Sequence, residues 1–202
     1  MRIGLFGGSF DPVHRGHLRL AECCREQAHL DEVWLMPTAT QPLKLDGPAA
    51  SGKDRLEMLR LATAGMPGMV VSDHEVRHGG VSYTVDTLKA LRAERPAAEW
   101  FLLLGADALR DLHAWREPER VLQLAMPLVV HRAGEPAPGF GVLTAWLDAD
   151  RSKEIEEVAV AMPPVPTSSS EVRKLIAKGE PVGDHLPEGV AEYISSRGLY
   201  LD

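Results

Sequence analysis

At 202 residues and 45% hydrophobic content, the chain can bury one sizeable core. Its net charge of −7 argues against a general nucleic-acid binder, which needs a broad basic face, so any phosphate chemistry has to rest on local clusters. The only cysteines, Cys23 and Cys24, are adjacent, which argues against a disulfide or zinc framework and for a reducing compartment.

Residues 2–6 (RIGLF) read as a buried strand, and HRGHLRLAECCREQAH from residue 14 reads as a helix with Leu18, Leu20, Ala21 and Cys24 on its inner face. EVWLMP (32–37) is a second strand. The loop TATQPLKLDGPAAS ends at Ser51, and GKDRLEMLRLATAG follows as a helix stopped at Gly65. MVVSDHEV (69–76) reads as a third strand. A helix begins near Thr84 and ends before Pro96, and EWFLLLG (99–105) is a strongly apolar fourth strand. DALRDLHAW and PERVLQLA are helical, with Pro118 suited to a first turn. PLVVHR (127–132) is a fifth strand, and Gly134–Gly141 is a loop. EVAVAMPPV is read as a further strand, before helices over TSSSEVRKLIAKG and PEGVAEYISSRG.

This alternation predicts an α/β fold: a Rossmann-like, doubly wound, mostly parallel sheet with helices on both faces. It forms a single domain over 1–202 whose small C-terminal helical part spans about 166–202. No apolar run reaches membrane-spanning length, and the motif described next begins too near Met1 to leave room for a leader; the expectation is a cytoplasmic protein with no membrane partner. Oligomeric state is open, a homo-oligomer included.

The stretch GGSFDPVHRGHL (7–18) follows the first strand, at the usual ligand-binding edge of such a sheet. Gly7 and Gly8 allow unusual backbone angles and close approach of a ligand. The spacing fits neither the dinucleotide fingerprint nor a Walker loop. His14 and His17 stand at i and i+3, so on a helix they share a face, with Gly16 leaving a gap for a ligand. A helix N-terminus attracts anions through its amides and dipole, and imidazoles add N–H donors, which suits a polyphosphate. Capping or surface histidines are the plain alternative. Metal ligation is a further rival, but no cysteine or second carboxylate nearby completes a set, and no dedicated metal residue is assigned.

This stretch resembles the signature of the HxGH nucleotidyltransferase superfamily. Within it the chain resembles the bacterial nicotinate-nucleotide adenylyltransferases, nearly end to end, through PTATQPLK (37–44), DRLEMLRLA (54–62), EVRHGGVSYTVDTL (75–88), FLLLGADALRDLHAWREPERVL (101–122) and TSSSEVRKLI (167–176). The first motif alone gives the superfamily; the SYTVDTL and GADALRDLHAW stretches make the subgroup specific. The resemblance implies adenylyl transfer from ATP to nicotinate mononucleotide, giving nicotinate adenine dinucleotide and pyrophosphate. Mg2+ is implied as a companion of ATP, held mostly by ATP and water.

Ser168 to Glu171 has capping-box spacing, so a helix begins there; the amides after Ser168, with Ser169, Ser170 and Arg173, make a second anion site. A plain capped surface helix is the alternative, and the resemblance favours triphosphate binding. ATP is thus assigned Gly7, Gly8, Ser9, Phe10, His14, His17, Lys44, Ser168, Ser169, Ser170 and Arg173, with His14, His17, Lys44 and Arg173 bearing on the transition state. The mononucleotide is assigned Ser82, Tyr83, Thr84, Asp107, Trp115, Arg116 and Arg132. Trp115 is expected to stack on the pyridine ring, Asp107 to accept from ribose hydroxyls, and Thr84 to hold the nicotinate carboxylate; core packing is the alternative for Trp115 and helix capping for the other two. Trp34 is assigned to the core. The chain departs from the family at Pro42-Leu43-Lys44, where Pro-His-Lys is frequent, and at Ser9 and Ser170, where threonine is frequent. Sister adenylyltransferases for nicotinamide mononucleotide or phosphopantetheine, and a catalytically silent nucleotide-binding regulatory domain, are the rival readings.

Overall fold

A computed structural model describes residues 1–42, 47–132 and 138–201, apart from the Arg132 side chain. Strands β1 (Arg2–Gly8), β2 (Glu32–Pro37), β3 (Met69–Val71), β4 (Glu99–Gly105), β5 (Met126–Arg132) and β6 (Val160–Met162) form one sheet in the order β3-β2-β1-β4-β5-β6. β1 and β4, β4 and β5, and β5 and β6 pair parallel, with Ile3 opposite Trp100, Leu103 opposite Leu128 and Val130 opposite Val160. This is the doubly wound order that the strand–helix alternation predicts, reversing between β1 and β4. The helices among the described residues are α1 (Arg15–Gln27), α2 (Gly52–Thr63), α3 (His74–His78), α4 (Thr84–Glu94), α5 (Ala106–Arg110), α6 (Pro118–Leu124), α7 (Ala149–Glu157), α8 (Ser169–Ala177) and α9 (Glu188–Arg197).

The chain divides into two compact units. The first comprises Met1–Phe6, Leu20–Trp34 and Tyr83–Pro164. Its core is built on the continuous apolar runs of β4 and β5: Phe101 to Leu104 and Leu128 to Val130 are all buried, each large side chain contributing roughly 1.5–3 kcal/mol. Gly4 explains the glycine inside an otherwise bulky strand. A Cβ there would lie 2.7 Å from Leu30 Cδ1 and 2.8 Å from Leu103 Cδ1, so side chains from two other segments occupy its place. Trp34 is buried, as expected, and meets Trp100 edge-on at 5.5 Å. A second cluster, Leu109, Leu112, Leu122, Val129, Leu143 and Ile155, packs under α5 to α7. The Gln27 carboxamide bonds both ways to Ala161, donating to its carbonyl at 2.7 Å and accepting from its N–H at 3.0 Å, which covers backbone of the edge strand β6.

The second unit comprises Gly7–Arg19, Leu35–Ser82 and Val165–Asp202. Ser51 caps α2, its hydroxyl accepting from Asp54 N at 3.1 Å. Ser168 caps α8, accepting from Glu171 N at 3.2 Å, as its capping-box spacing predicts. α9 packs against α2 and stops at Gly198, whose φ of 60° is left-handed.

Two local expectations need correction. The third strand ends at Val71, and DHEV is not extended. Ser72 still bonds to Leu35 O at 3.0 Å, but Asp73 turns the chain and its carbonyl takes the Arg77 N–H at 2.8 Å, starting α3. Aspartate favours such helix starts over strand interiors. On α1 the fully buried residues are Leu20, Ala21, Cys23 and Cys24, while Leu18 is only half-buried, so the inner face is rotated from the one expected.

Candidate active site

The loop from β1 to α1 carries the first cluster. Gly7 is exposed, and a Cβ there would meet nothing within 4 Å, which leaves open space at the strand's end. A Cβ on Gly8 would come within 3.3 Å of the Phe10 ring. Neither glycine has a positive φ; the left-handed residue of this loop is Phe10, at φ 47°. The Phe10 ring is buried and meets the His17 ring edge-on at 5.0 Å. Asp11 and Pro12 are joined by a cis peptide bond.

His14 stands just before α1, whose first turn bonds back to its carbonyl from His17 N at 2.9 Å. The His14 and His17 rings stack at 3.7 Å, with 25° between their planes. The His14 backbone N–H donates to His17 Nδ1 at 3.3 Å. Nδ1 is therefore the acceptor, and neutral His17 carries its ring proton on Nε2. Gly16 does not leave a gap for a ligand as expected. A Cβ there would lie 3.0 Å from His14 Nδ1 and 3.2 Å from Thr167 Cγ2, so the glycine makes room for the protein's own side chains.

The second predicted anion motif meets this loop within the same unit. Arg173 Nη1 donates to the Asp11 carbonyl at 2.7 Å, and Ser169 Oγ donates to the Pro12 carbonyl at 2.9 Å. Arg173 Nη2 lies 3.5 Å from Ser170 Oγ. The N-terminus of α8, its serines and its arginine are thus brought against the segment leading to His14. Ser9 contributes its carbonyl, which accepts from Arg55 Nη1 at 2.8 Å.

Three residues that the sequence reading passed over organise this region. Asp11 is buried, and its carboxylate accepts from Ala49 N at 2.7 Å, Ala50 N at 3.0 Å and the Tyr200 hydroxyl at 2.7 Å. Arg55, also buried, donates to Ser9 and Ala50 carbonyls; burial lowers its pKa, and the nearby Asp11 charge partly restores it. Tyr200, at φ 65°, has its phenol pushed well above the usual range, first by burial and then by the Asp11 carboxylate. Lys44 lies outside the described residues.

The residues assigned to the mononucleotide divide differently. Ser82 belongs to the second unit, where its N–H donates to Thr40 O at 2.9 Å and its hydroxyl accepts from Ala39 N at 3.0 Å. In the first unit Tyr83 is the cap residue of α4 and Thr84 its first helical residue; no side chain caps this end, so the capping alternative for Thr84 does not hold. The Arg116 guanidinium sits 4.9 Å from the Tyr83 ring centroid, which brings these two predicted residues together. Arg116 also pairs with Asp86 at 3.1 Å and lies 3.8 Å from Glu117, so carboxylates do stand beside this donor. Trp115 is half-buried against the cluster of Leu109 and Leu112. Asp107 is not the cap of α5, a position held by Gly105; its exposed carboxylate pairs with Arg110 at 2.8 Å. The Arg132 side chain lies outside the described residues.

Among the described residues no group of three or more His, Cys, Asp or Glu side chains is placed to hold a metal ion. Nor is any helix among them long and apolar enough to cross a membrane.

The cytidylyltransferase-like family model matches residues 5–175. The chain is 42% identical over 198 residues to the probable nicotinate-nucleotide adenylyltransferase of Rhodopirellula baltica, covering 98% of this chain and 92% of that one. It is 40% identical over 200 residues to the one of Bordetella avium, covering 98% of each. Among solved structures, the nicotinic acid mononucleotide adenylyltransferase of Plasmodium falciparum complexed with NaAD superposes with a TM-score of 0.73 at 19% identity, covering 98% of this chain and 97% of that one. That likeness speaks for the fold; the sequence relatives speak for the family. On the family model and these relatives together, the chain belongs to the nicotinate-nucleotide adenylyltransferase family.

Proposed function

We propose that this chain transfers the adenylyl group of ATP to nicotinate mononucleotide, and that the loop from Gly7 to His17, with the start of α8, binds the triphosphate. The observation that carries this reading is the meeting of the two anion motifs. The helix start bearing His14 and His17 and the helix start bearing Arg173 are tied to each other through Asp11 and Pro12. Two helix N-termini, two imidazoles and a guanidinium suit a polyanion whose charge shifts during reaction.

In the reaction, a phosphate oxygen of the mononucleotide attacks the α-phosphorus of ATP. The bond to the bridging oxygen of pyrophosphate breaks, and that oxygen carries the electron pair away. The attacking phosphate is already ionised at neutral pH, so no general base is needed. Catalysis then rests on positioning and on stabilising charge at the phosphoryl and leaving-group oxygens. His17, with its proton on Nε2, and His14 would donate to those oxygens; Arg173 would hold the β- and γ-phosphates, together with Lys44. Mg2+ would accompany ATP, neutralising phosphate charge and held chiefly by the nucleotide and water.

For the mononucleotide, the first turn of α4 at Tyr83 and Thr84 offers amides that no side chain caps, a donor set suited to the nicotinate carboxylate. Arg116 beside Tyr83 adds a cation, moderated by Asp86 and Glu117. Trp115 offers a face for the pyridine ring. Pyrophosphate release measured with nicotinate and nicotinamide mononucleotides side by side tests this reading. It predicts a kcat/KM several-fold or more higher for the acid; equal values would move the activity to a sister enzyme.

A further inference from the structure

Asp11 poses a problem in this site. It is a buried carboxylate inside a segment read as binding a triphosphate, and Arg173 Nη1 lies only 3.9 Å from its Oδ2. A carboxylate that close competes with phosphate for the guanidinium, because a bidentate Arg–carboxylate pair is among the stronger charge-assisted contacts. Yet Arg173 bonds to the Asp11 carbonyl at 2.7 Å and not to its carboxylate. The carboxylate is otherwise satisfied. Ala49 N bonds to Oδ2, and Ala50 N and the Tyr200 hydroxyl both bond to Oδ1.

We propose that Tyr200 is a positioning residue of the phosphate site: its hydroxyl holds Oδ1 of the Asp11 carboxylate, fixes the orientation of that group, and so keeps the other oxygen, Oδ2, from closing on the Arg173 guanidinium. The phenol suits the task. It is neutral, so it satisfies the carboxylate without adding a second cation, and its surroundings keep it protonated throughout the physiological range. Tyr200 also holds a left-handed backbone that a bulky residue adopts at a cost. A second tyrosine gives an internal comparison. Tyr193 Oη donates to Asp54 Oδ1 at 2.8 Å, the same bond in kind, but that carboxylate also accepts from the Ser51 hydroxyl and has Arg197 as its cation.

The inference rests on the proposed phosphate site, and the test separates the two. The full chain is assayed as wild type, Tyr200→Phe, Tyr193→Phe, Arg173→Ala and the Tyr200→Phe/Arg173→Ala double variant, with KM measured separately for ATP and for nicotinate mononucleotide. Folding is checked by circular dichroism at the assay temperature. Tyr200→Phe should raise KM for ATP about fivefold or more and leave KM for the mononucleotide within about twofold. In the Arg173→Ala background it should add nothing further, because the captured group is gone. Tyr193→Phe should leave both KM values unchanged. A wild-type chain without adenylyl transfer, or an Arg173→Ala variant with normal KM for ATP, would sink the phosphate-site reading itself. With those two intact, an unchanged KM for ATP in Tyr200→Phe, an equal rise in both KM values, additivity with Arg173→Ala, or an unfolded Tyr200→Phe would overturn the positioning role.

Discussion

Replacing Gly16 by alanine sets two effects of known sign against each other. Gly16 is the second residue of α1, so alanine gains about 0.5–1 kcal/mol of helix propensity. Its methyl carbon would lie 3.0 Å from His14 Nδ1, 3.1 Å from His14 Cε1 and 3.2 Å from Thr167 Cγ2. Each neighbour must yield a few tenths of an ångström. Neither is free to do so cheaply: His14 is stacked on His17 at 3.7 Å, and Thr167 Oγ1 is bonded to His185 Nδ1 at 3.1 Å. Overpacking of this kind costs about 1–3 kcal/mol. Net stability should therefore fall by about 0–2.5 kcal/mol. The rate should suffer more. Displacing a catalytic group by about 1 Å can cost roughly 10²-fold, so a shift of a few tenths predicts a loss of about three- to tenfold in the chemical step. Urea unfolding gives the first number and single-turnover adenylyl transfer the second. A Gly16→Ala protein that is more stable than wild type and reacts at the wild-type rate would refute the packing argument and the placement of His14 at the reacting phosphates.

Three further outcomes follow from the same geometry. His17→Ala should lower turnover by at least ~10²-fold with the fold retained, since it removes the donor whose tautomer the His14 N–H fixes; a near-normal single-turnover rate in a folded variant contradicts its role. Arg173→Ala should raise KM for ATP more than KM for the mononucleotide and also lower the melting temperature, because the bond to the Asp11 carbonyl is lost with the phosphate contact; an effect on the mononucleotide alone would mean that this helix start serves the other substrate. Asp54 is held below its ordinary pKa of 3.8, first by the Ser51 hydroxyl and then, against burial, by the Tyr193 hydroxyl and Arg197. A depressed carboxylate stabilises the fold fully above the unfolded-state value and loses that contribution as pH falls through the folded-state value. Asp54→Asn should therefore cost about 1–3 kcal/mol near pH 7, with the gap to wild type closing below about pH 4. A gap that is constant with pH would show that its charge is irrelevant.

What the sequence made legible was local. The apolar run FLLLG, the glycines and histidines after β1 and the serine caps of α2 and α8 all signal through spacings of a few residues. What it hid was set by contacts across long separations. Asp11 reads as a turn residue before proline, yet its partners include Tyr200 and Arg173, at separations of 189 and 162 residues. Arg55 has the look of a solvated helical arginine, but the Ser9 and Ala50 carbonyls draw it inside. Gly16 suggested room for a ligand because nothing in sequence reveals that Thr167 comes to lie beside it. The short β3 has a local cause: the apolar MVV run ends before Asp73, a residue that starts helices more readily than it extends strands.

The claim that the adenylyl group moves, and that it moves to nicotinate mononucleotide, is tested most directly by the fate of labelled phosphorus. ATP labelled at the α-phosphorus and ATP labelled at the γ-phosphorus are incubated in turn with the protein, Mg2+ and nicotinate mononucleotide. The α-label is predicted to appear in a dinucleotide with the mass of nicotinate adenine dinucleotide, and the γ-label in pyrophosphate, in equal amounts. Transfer of the γ-label to the mononucleotide, or hydrolysis of ATP with no dinucleotide formed, would contradict it.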